Sequence, residues 1–206
     1  MKQEILNRIK ELGGNIDNVK GDSLQEILQS ITFKQPLYPH ELWGTELYGI
    51  DEFYASNKNL YSADKQNFYL NLMTHFFSEE ENPYGQMFYR GELFTPYKKD
   101  TPDYEEWNDI FTDEDEVDLS EIYAVSENKH PDFINILFSN GYPDQLYICL
   151  SDNNPDNPTV FGTDHEEFFS EISNEGTLLE FLEQFYTKEE FLHIVTNYIE
   201  NEKTDK

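Results

Sequence analysis

Residues 133–152 read FINILFSNGYPDQLYICLSD and contain two short apolar runs separated by a turn. Phe133 to Phe138 and Leu146 to Leu150 are rich in branched and aromatic side chains, which favours strands. Asn140-Gly141 is a typical turn dipeptide. Four residues separate Gly141 from the second run, so we expect a hairpin with an irregular loop.

The segments after this hairpin continue the strand pattern and then change to helices. Thr159 to Phe161 predicts a further strand, which Gly162 ends. In each of two capping boxes a Thr precedes a Glu by three residues, ahead of an apolar helical repeat. These boxes are Thr177 with Glu180 and Thr187 with Glu190. We therefore predict two C-terminal helices.

The N-terminal residues show helical patterns. Ile5, Leu6, Ile9 and Leu12 recur at helical spacing until Gly13-Gly14, and Ser23 with Glu26 forms a third capping box. Ile122 to Val125 predicts another strand. Helices at both ends with strands between them favour an α+β fold. We predict one domain spanning residues 1–206, with a mixed, mostly antiparallel central sheet flanked by N- and C-terminal helices.

The middle of the chain is less regular. Glu46 to Ile50 predicts a short strand, about Ser62 to Phe77 a helix ended by acidic residues and Pro83, and residues 85–94 one or two short strands. An acidic insertion follows at about residues 98–121. Its aromatic residues Tyr104, Trp107 and Phe111 are spaced three and four apart, which predicts a helix over part of it. The tail at about residues 201–206 is expected to be flexible.

The formal net charge is −28, from 42 acidic and 14 basic side chains. Binding of nucleic acid requires clustered Lys and Arg, so this charge argues against nucleic acid and anionic membranes as direct ligands. It favours a basic protein partner, because electrostatic attraction speeds their encounter. Solubility, or adaptation to a salt-rich habitat, is the alternative explanation.

The single cysteine indicates a reducing compartment. Cys149 has no partner for an intramolecular disulfide, and its apolar neighbours predict a buried, inert thiol. The N-terminus has no long apolar run of a signal peptide, and no stretch is long enough for a transmembrane helix. We therefore expect a cytoplasmic protein.

Two short motifs resemble catalytic or calcium-binding sites but lack the required context. Gly21-Asp22-Ser23-Leu24 matches the block of one serine esterase family, yet no His follows an Asp at the spacing of that family's base, and Ser23 is predicted to cap a helix. Asp152, Asn154 and Asp156 alternate as in an EF-hand loop, but Asn157 and Thr163 occupy the positions that require Gly and Glu. This segment is predicted to be an Asx- and Pro-rich turn.

Asp164-His165-Glu166-Glu167 offers side chains of metal-binding type. Phe169 stands where a His-Glu-x-x-His motif requires its second His, and the five His are scattered, so no metal site is predicted. The adjacent acids are expected to raise the pKa of His165. No catalytic residue and no cofactor is predicted. The 42 acids form so many possible pairs that a carboxylate-dependent hydrolase stays open as a weaker alternative.

The acidic insertion is the strongest candidate for a partner-binding site. Aromatic anchors surrounded by carboxylates suit a basic protein, although a charge run is also typical of a merely solvated surface. The candidate partner-binding residues are Asp103, Tyr104, Glu105, Glu106, Trp107, Asp109, Asp113, Glu114, Asp115, Glu116 and Asp118.

The C-terminal half resembles the SUKH superfamily, which includes yeast regulators of glucan synthesis and many bacterial toxin-immunity proteins. The likeness is carried by the strand pair at Phe133–Asp152, by NPTVFGTDHEEF from Asn157 to Phe168, and by GTLLEFLEQF from Gly176 to Phe185. Glu46 to Ile50 resembles an early Tyr-Gly strand of the family. The likeness covers about Thr45 to Tyr186, but the family's proline- and glycine-marked segment after the first helix is missing.

The resemblance implies an α+β sheet domain without an active site. It also implies an immunity protein of a toxin–antitoxin pair, which would bind and block a basic toxin domain such as a nuclease. A regulatory or scaffold protein of the same fold, without a toxin partner, is the alternative. The sequence does not predict the oligomeric state.

Overall fold

A computed structural model of the chain describes residues 1–40, 49–78, 86–113 and 115–203. Within these ranges the chain has an α+β fold with one antiparallel sheet, which confirms the predicted fold class. None of the helices found there has both the length and the apolar character needed to cross a lipid bilayer.

In the described residues, helices precede the first strand, lie between the first and second strands, and follow the last strand. The first half contains α1 (Gln3–Glu11), α2 (Leu24–Ser30), α3 (Ile50–Ser56), α4 (Lys58–Ala63), α5 (Lys65–Phe76), β1 (Phe88–Phe94), α6 (Pro102–Phe111) and α7 (Ser120–Val125). The second half contains β2 (Phe133–Phe138), β3 (Gln145–Cys149), β4 (Thr159–Thr163), β5 (Ser173–Thr177), α8 (Leu178–Leu182), α9 (Lys188–Tyr198) and a final π-helical turn (Ile199–Lys203).

The five strands form a meander in which each strand pairs with the next one along the chain. All four pairs are antiparallel. β1 contains a bulge between Tyr89 and Glu92, where Gly91 has a φ of +66°, a conformation that favours glycine. The predicted hairpin is confirmed as β2 and β3, and its irregular loop contains a cis peptide bond between Tyr142 and Pro143.

The sheet separates two hydrophobic clusters because successive side chains of a strand point to opposite faces. Ile134, Ile148 and Val160 pack with α1, α2 and α8 on one face. Phe133, Tyr147 and Phe161 pack with α6, α7 and the β4–β5 loop on the other. A third cluster joins α3, α4, α5 and α9 around Tyr38.

The three predicted capping boxes are all present. Ser23, Thr177 and Thr187 each accept a hydrogen bond from the backbone three residues later, and the Glu there bonds back to the capping residue. Ser23 is therefore a helix cap, as predicted. A cap of this kind stabilises a helix by about 1 kcal/mol.

The predicted strand at Ile122 to Val125 is wrong, because this segment is helix α7. The side chain of Asp118 accepts a hydrogen bond from the Ser120 backbone at 2.9 Å and so starts the turn. Leu119 and Ile122 are buried and lie three residues apart, which places both on one side of a helix. Over so short a segment, the same apolar residues fit both a helical and a strand pattern.

Other predicted boundaries also differ. The helix predicted from about Ser62 begins only at Lys65, because Asp64 caps α5 and separates it from α4. Ile50 begins helix α3, so the predicted strand is wrong there, while residues 46–48 lie outside the described residues. Strand β4 continues through Gly162 to Thr163, and the polar edge strand β5 was not predicted.

Candidate partner-binding surface

The described residues of the acidic insertion form a layer on one face of the sheet. Thr101 caps α6 by accepting a hydrogen bond from the Tyr104 backbone at 3.2 Å, and Pro102 occupies the first turn. Phe111, Val117 and Leu119 are buried in the aromatic cluster on that face. The alternation of buried apolar and exposed acidic residues therefore fixes which side of the insertion faces solvent.

The eleven predicted partner-binding residues divide into three groups. Seven carry exposed side chains: Glu105, Glu106, Asp109, Asp113, Asp115, Glu116 and Asp118. Asp103, Tyr104 and Trp107 are partly buried. Glu114 lies outside the described residues.

Asp103 has a structural role that the sequence did not reveal. Its Oδ2 accepts hydrogen bonds from the Thr95 backbone at 2.8 Å and from the Thr95 hydroxyl at 3.2 Å. These bonds hold the first turn of α6 against the end of β1. Asp103 also contributes, after burial, to the raised pKa of Asp132. Asp103 therefore also has a structural role, and its place among the candidate partner-binding residues stays a prediction.

Trp107 links the insertion to the β4–β5 loop. Its ring lies 4.5 Å from that of Phe168, measured between centroids, and 6.4 Å from that of Phe94. A second link is the Asp118 backbone N–H, which donates to the Phe169 carbonyl at 2.9 Å. The acids of the insertion and those of the loop consequently belong to adjoining surfaces.

We call these adjoining surfaces the acidic face. It consists of the seven exposed acids of the insertion together with Glu166, Glu167 and Glu171 of the β4–β5 loop, all exposed. The segment that supplies this face is strongly acidic, because residues 100–187 contain 23 Asp and Glu residues and only one Lys or Arg, Lys129. In the described part of the chain, no Lys or Arg forms an ion pair with a carboxylate of this face.

Tyr142 is an aromatic residue beside this face that the sequence analysis did not select. It is 55% exposed, and among the described residues the only other exposed large apolar side chain is that of Leu70. Partial burial raises its pKa, and the negative charges of Glu171, Asp164, Glu167 and Glu175 raise it further. An exposed ring among carboxylates suits a cationic side chain, which both the ring and the carboxylates attract. The sequence feature that could have identified Tyr142 is its position directly after the Asn140-Gly141 turn.

Comparisons with protein-family models, curated proteins and solved structures find no significant match.

His165 is bound to an acid that lies far from it in the sequence. Its Nδ1 lies 2.5 Å from Oδ2 of Asp144, 21 residues earlier, and 3.9 Å from Oδ1 of Asp164. The hydrogen bond and charge of Asp144 raise the pKa of His165, while Asp164 and Glu166 contribute less. The predicted direction is confirmed, but the main cause is Asp144 rather than the adjacent acids.

This pair predicts a pH-dependent contribution to stability. A histidine whose pKa is higher in the folded than in the unfolded protein stabilises the fold. This stabilisation is complete below the pKa of the unfolded state, about 6.5, and is lost as the pH rises through the pKa of the folded state. His165→Ala should therefore lower the free energy of unfolding more at pH 6 than at pH 9. Urea unfolding in buffer with a chelator measures this. An equal loss at both pH values would contradict the assigned pair.

Cys149 and Asp152 have the structural roles expected from the sequence. Cys149 is fully buried on β3, and burial raises the pKa of its thiol. Asp152 accepts hydrogen bonds from the backbones of Asn154 at 2.7 Å and Thr159 at 2.8 Å, so the segment forms the predicted Asx turn.

The buried thiol predicts a simple chemical result. Ellman's reagent should label almost no Cys149 in the native protein and one thiol per chain in urea, because the thiolate must be exposed to react. Rapid labelling of the native protein, at the rate of the unfolded chain, would show that β3 does not bury this residue.

Proposed function

We propose that this chain is a cytoplasmic, non-catalytic protein-binding module that neutralises a basic, nuclease-like toxin domain through its acidic face. The observation that carries this proposal is the set of exposed carboxylates on α6, the following connection and the β4–β5 loop, which have no ion-pair partner in the described residues. Such a surface produces a strong negative potential toward solvent.

The chemistry of a nuclease surface supports this choice of partner. A nuclease binds phosphates with clustered Lys and Arg, and the same cations are attracted to a dense array of carboxylates. Glu106, Asp109 and Asp113 are spaced three and four residues apart, so they form a row along α6 and the turn after it. A protein that covers such cations blocks access of nucleic acid to them.

Two partly exposed rings add apolar contact area to the charged surface. Trp107 lies within the acidic face and Tyr142 beside it. Aromatic residues dominate the binding energy of many interfaces, whereas rim charges mainly affect association rate. The resemblance to SUKH immunity proteins supports the same function, and the α+β sheet domain is the fold that this resemblance implies.

The experiment that tests the proposal is affinity capture from the cytosol of the source cells at low and high salt, followed by mass spectrometry. We expect a basic protein that elutes with salt, is encoded next to this chain, and loses nuclease activity when the chain is added. A captured protein that is acidic or insensitive to salt would contradict the proposal. A basic partner without toxic activity would favour the regulatory alternative instead.

A further inference from the structure

The hairpin of β3 and β4 brings three possible metal ligands together at one end. Gln145 is opposite Thr163 in the sheet, so Asp144 and Asp164 lie directly beyond the paired ends of β3 and β4. His165 follows directly. One ligand atom from each of Asp144, Asp164 and His165 lies within 4.8 Å of the other two.

Asp144 has an unsatisfied oxygen at this site. Its side chain is only 9% exposed, and its Oδ1 is buried without a hydrogen-bond partner, while Oδ2 contacts His165. A buried carboxylate oxygen without a partner costs free energy, which a bound cation would recover. Neither Asp144 nor Asp164 forms an ion pair with a Lys or Arg in the described residues.

The loop that carries Asp144 is held in place from several sides. The Ser139 backbone donates to the Asp144 carbonyl at 2.9 Å, and the Ser139 hydroxyl donates to the Pro143 carbonyl at 3.2 Å. Pro143 packs on Gly162 of β4 so closely that a Cβ there would lie 2.4 Å from its Cγ. Fixed ligands lower the cost of ordering a site when an ion binds.

The geometry points to a binding site for a divalent first-row transition-metal ion, such as Zn²⁺, formed by Asp144, Asp164 and His165. An imidazole nitrogen with two carboxylates suits Zn²⁺ better than Mg²⁺ or Ca²⁺, which prefer oxygen ligands alone. His165 is 64% exposed, so water completes the coordination from the solvent side. Motif spacing does not reveal this site, because Asp144 lies 20 residues before Asp164 in the chain. This site does not depend on the proposed function.

The test is calorimetric titration of Zn²⁺ into the full chain after treatment with a chelator. We expect one site of clearly higher affinity than the background of surface carboxylates, with Mg²⁺ and Ca²⁺ binding there more weakly. Asp144→Asn and His165→Ala should each weaken Zn²⁺ binding at this site by about tenfold or more. Mutation of residues that only orient metal ligands already costs that much affinity. His193→Ala is the matched control, because His193 is also exposed and belongs to no cluster of possible metal ligands among the described residues.

A second measurement locates the ion independently of these variants. Zn²⁺ at one equivalent should shift the imidazole resonances of His165 in NMR spectra before those of the other four His. His165 is largely exposed, so its alanine variant is expected to fold even if Asp144→Asn does not. Unchanged Zn²⁺ affinity in His165→Ala, or simultaneous shifts of all His resonances, would overturn the assignment.

Discussion

Reversing Glu106, Asp109 and Glu116 to Lys together is expected to slow association with a basic partner roughly 10- to 100-fold at low ionic strength. The three side chains are exposed, and none of them accepts a hydrogen bond from another residue in the described part of the chain. The variant changes the net charge from −28 by six units to −22 and removes attraction at the proposed contact. Surface plasmon resonance with the captured partner measures both rate constants.

The matched control places the same change of charge on the other side of the sheet. Asp17, Asp22 and Glu183 are exposed near α1, α2 and α8, which cover the opposite sheet face. Their reversal to Lys should reduce the association rate far less, and salt should reduce the difference between the variants because it screens exposed charges. Equal slowing by both variants would mean that net charge, and not the acidic face, determines binding.

Phe169→Ala is expected to lower the free energy of unfolding by about 3–5 kcal/mol, the usual cost of removing a buried phenyl ring. Phe169 is 1% exposed, and its ring centroid lies 5.0 Å from that of Phe111 and 5.1 Å from those of Phe133 and Tyr147. Truncation leaves a cavity between the sheet and the layer that carries the acidic face. Urea unfolding monitored by circular dichroism measures the change.

The control for this prediction is Leu70→Ala on α5. Leu70 is 65% exposed, so its truncation should change stability by about 0.5 kcal/mol or less. Phe169→Ala should also weaken partner binding, since loss of the ring loosens the loop whose carbonyl at position 169 accepts the hydrogen bond of the Asp118 backbone. A loss below about 1 kcal/mol for Phe169→Ala would contradict the central position of this ring in the cluster.

Local signals in the sequence predicted much of the fold. Each capping box involves residues only three positions apart, so Ser23, Thr177 and Thr187 could be placed without knowledge of tertiary contacts. The strands β2 and β3 are buried along most of their length, which makes their apolar runs continuous.

Strands that depend on pairing with a neighbour and very short helices were harder to predict. β5 reads SNEGT and has no apolar repeat, because it lies at the sheet edge and gains its hydrogen bonds from β4. α7 contains only six residues, too few for a helical repeat to differ clearly from a strand pattern.

The candidate surface was predictable in composition but not in detail. Acids in a sparsely apolar segment are expected to be exposed, and seven of the eleven selected residues are. The bonds from Asp103 to Thr95, the contact of Trp107 with Phe168 and the pairing of Asp144 with His165 all depend on the arrangement of separate elements. No spacing within the sequence specifies such contacts.

The most direct test of the central claim is parallel capture from source-cell cytosol with three proteins: the wild type, the Glu106, Asp109 and Glu116 reversal, and the Asp17, Asp22 and Glu183 reversal. The account predicts that one basic protein is retained by the wild type and by the second variant at low salt, and is lost from the first. Equal retention of that protein by all three, or its retention only by the first variant, would contradict a binding function of the acidic face.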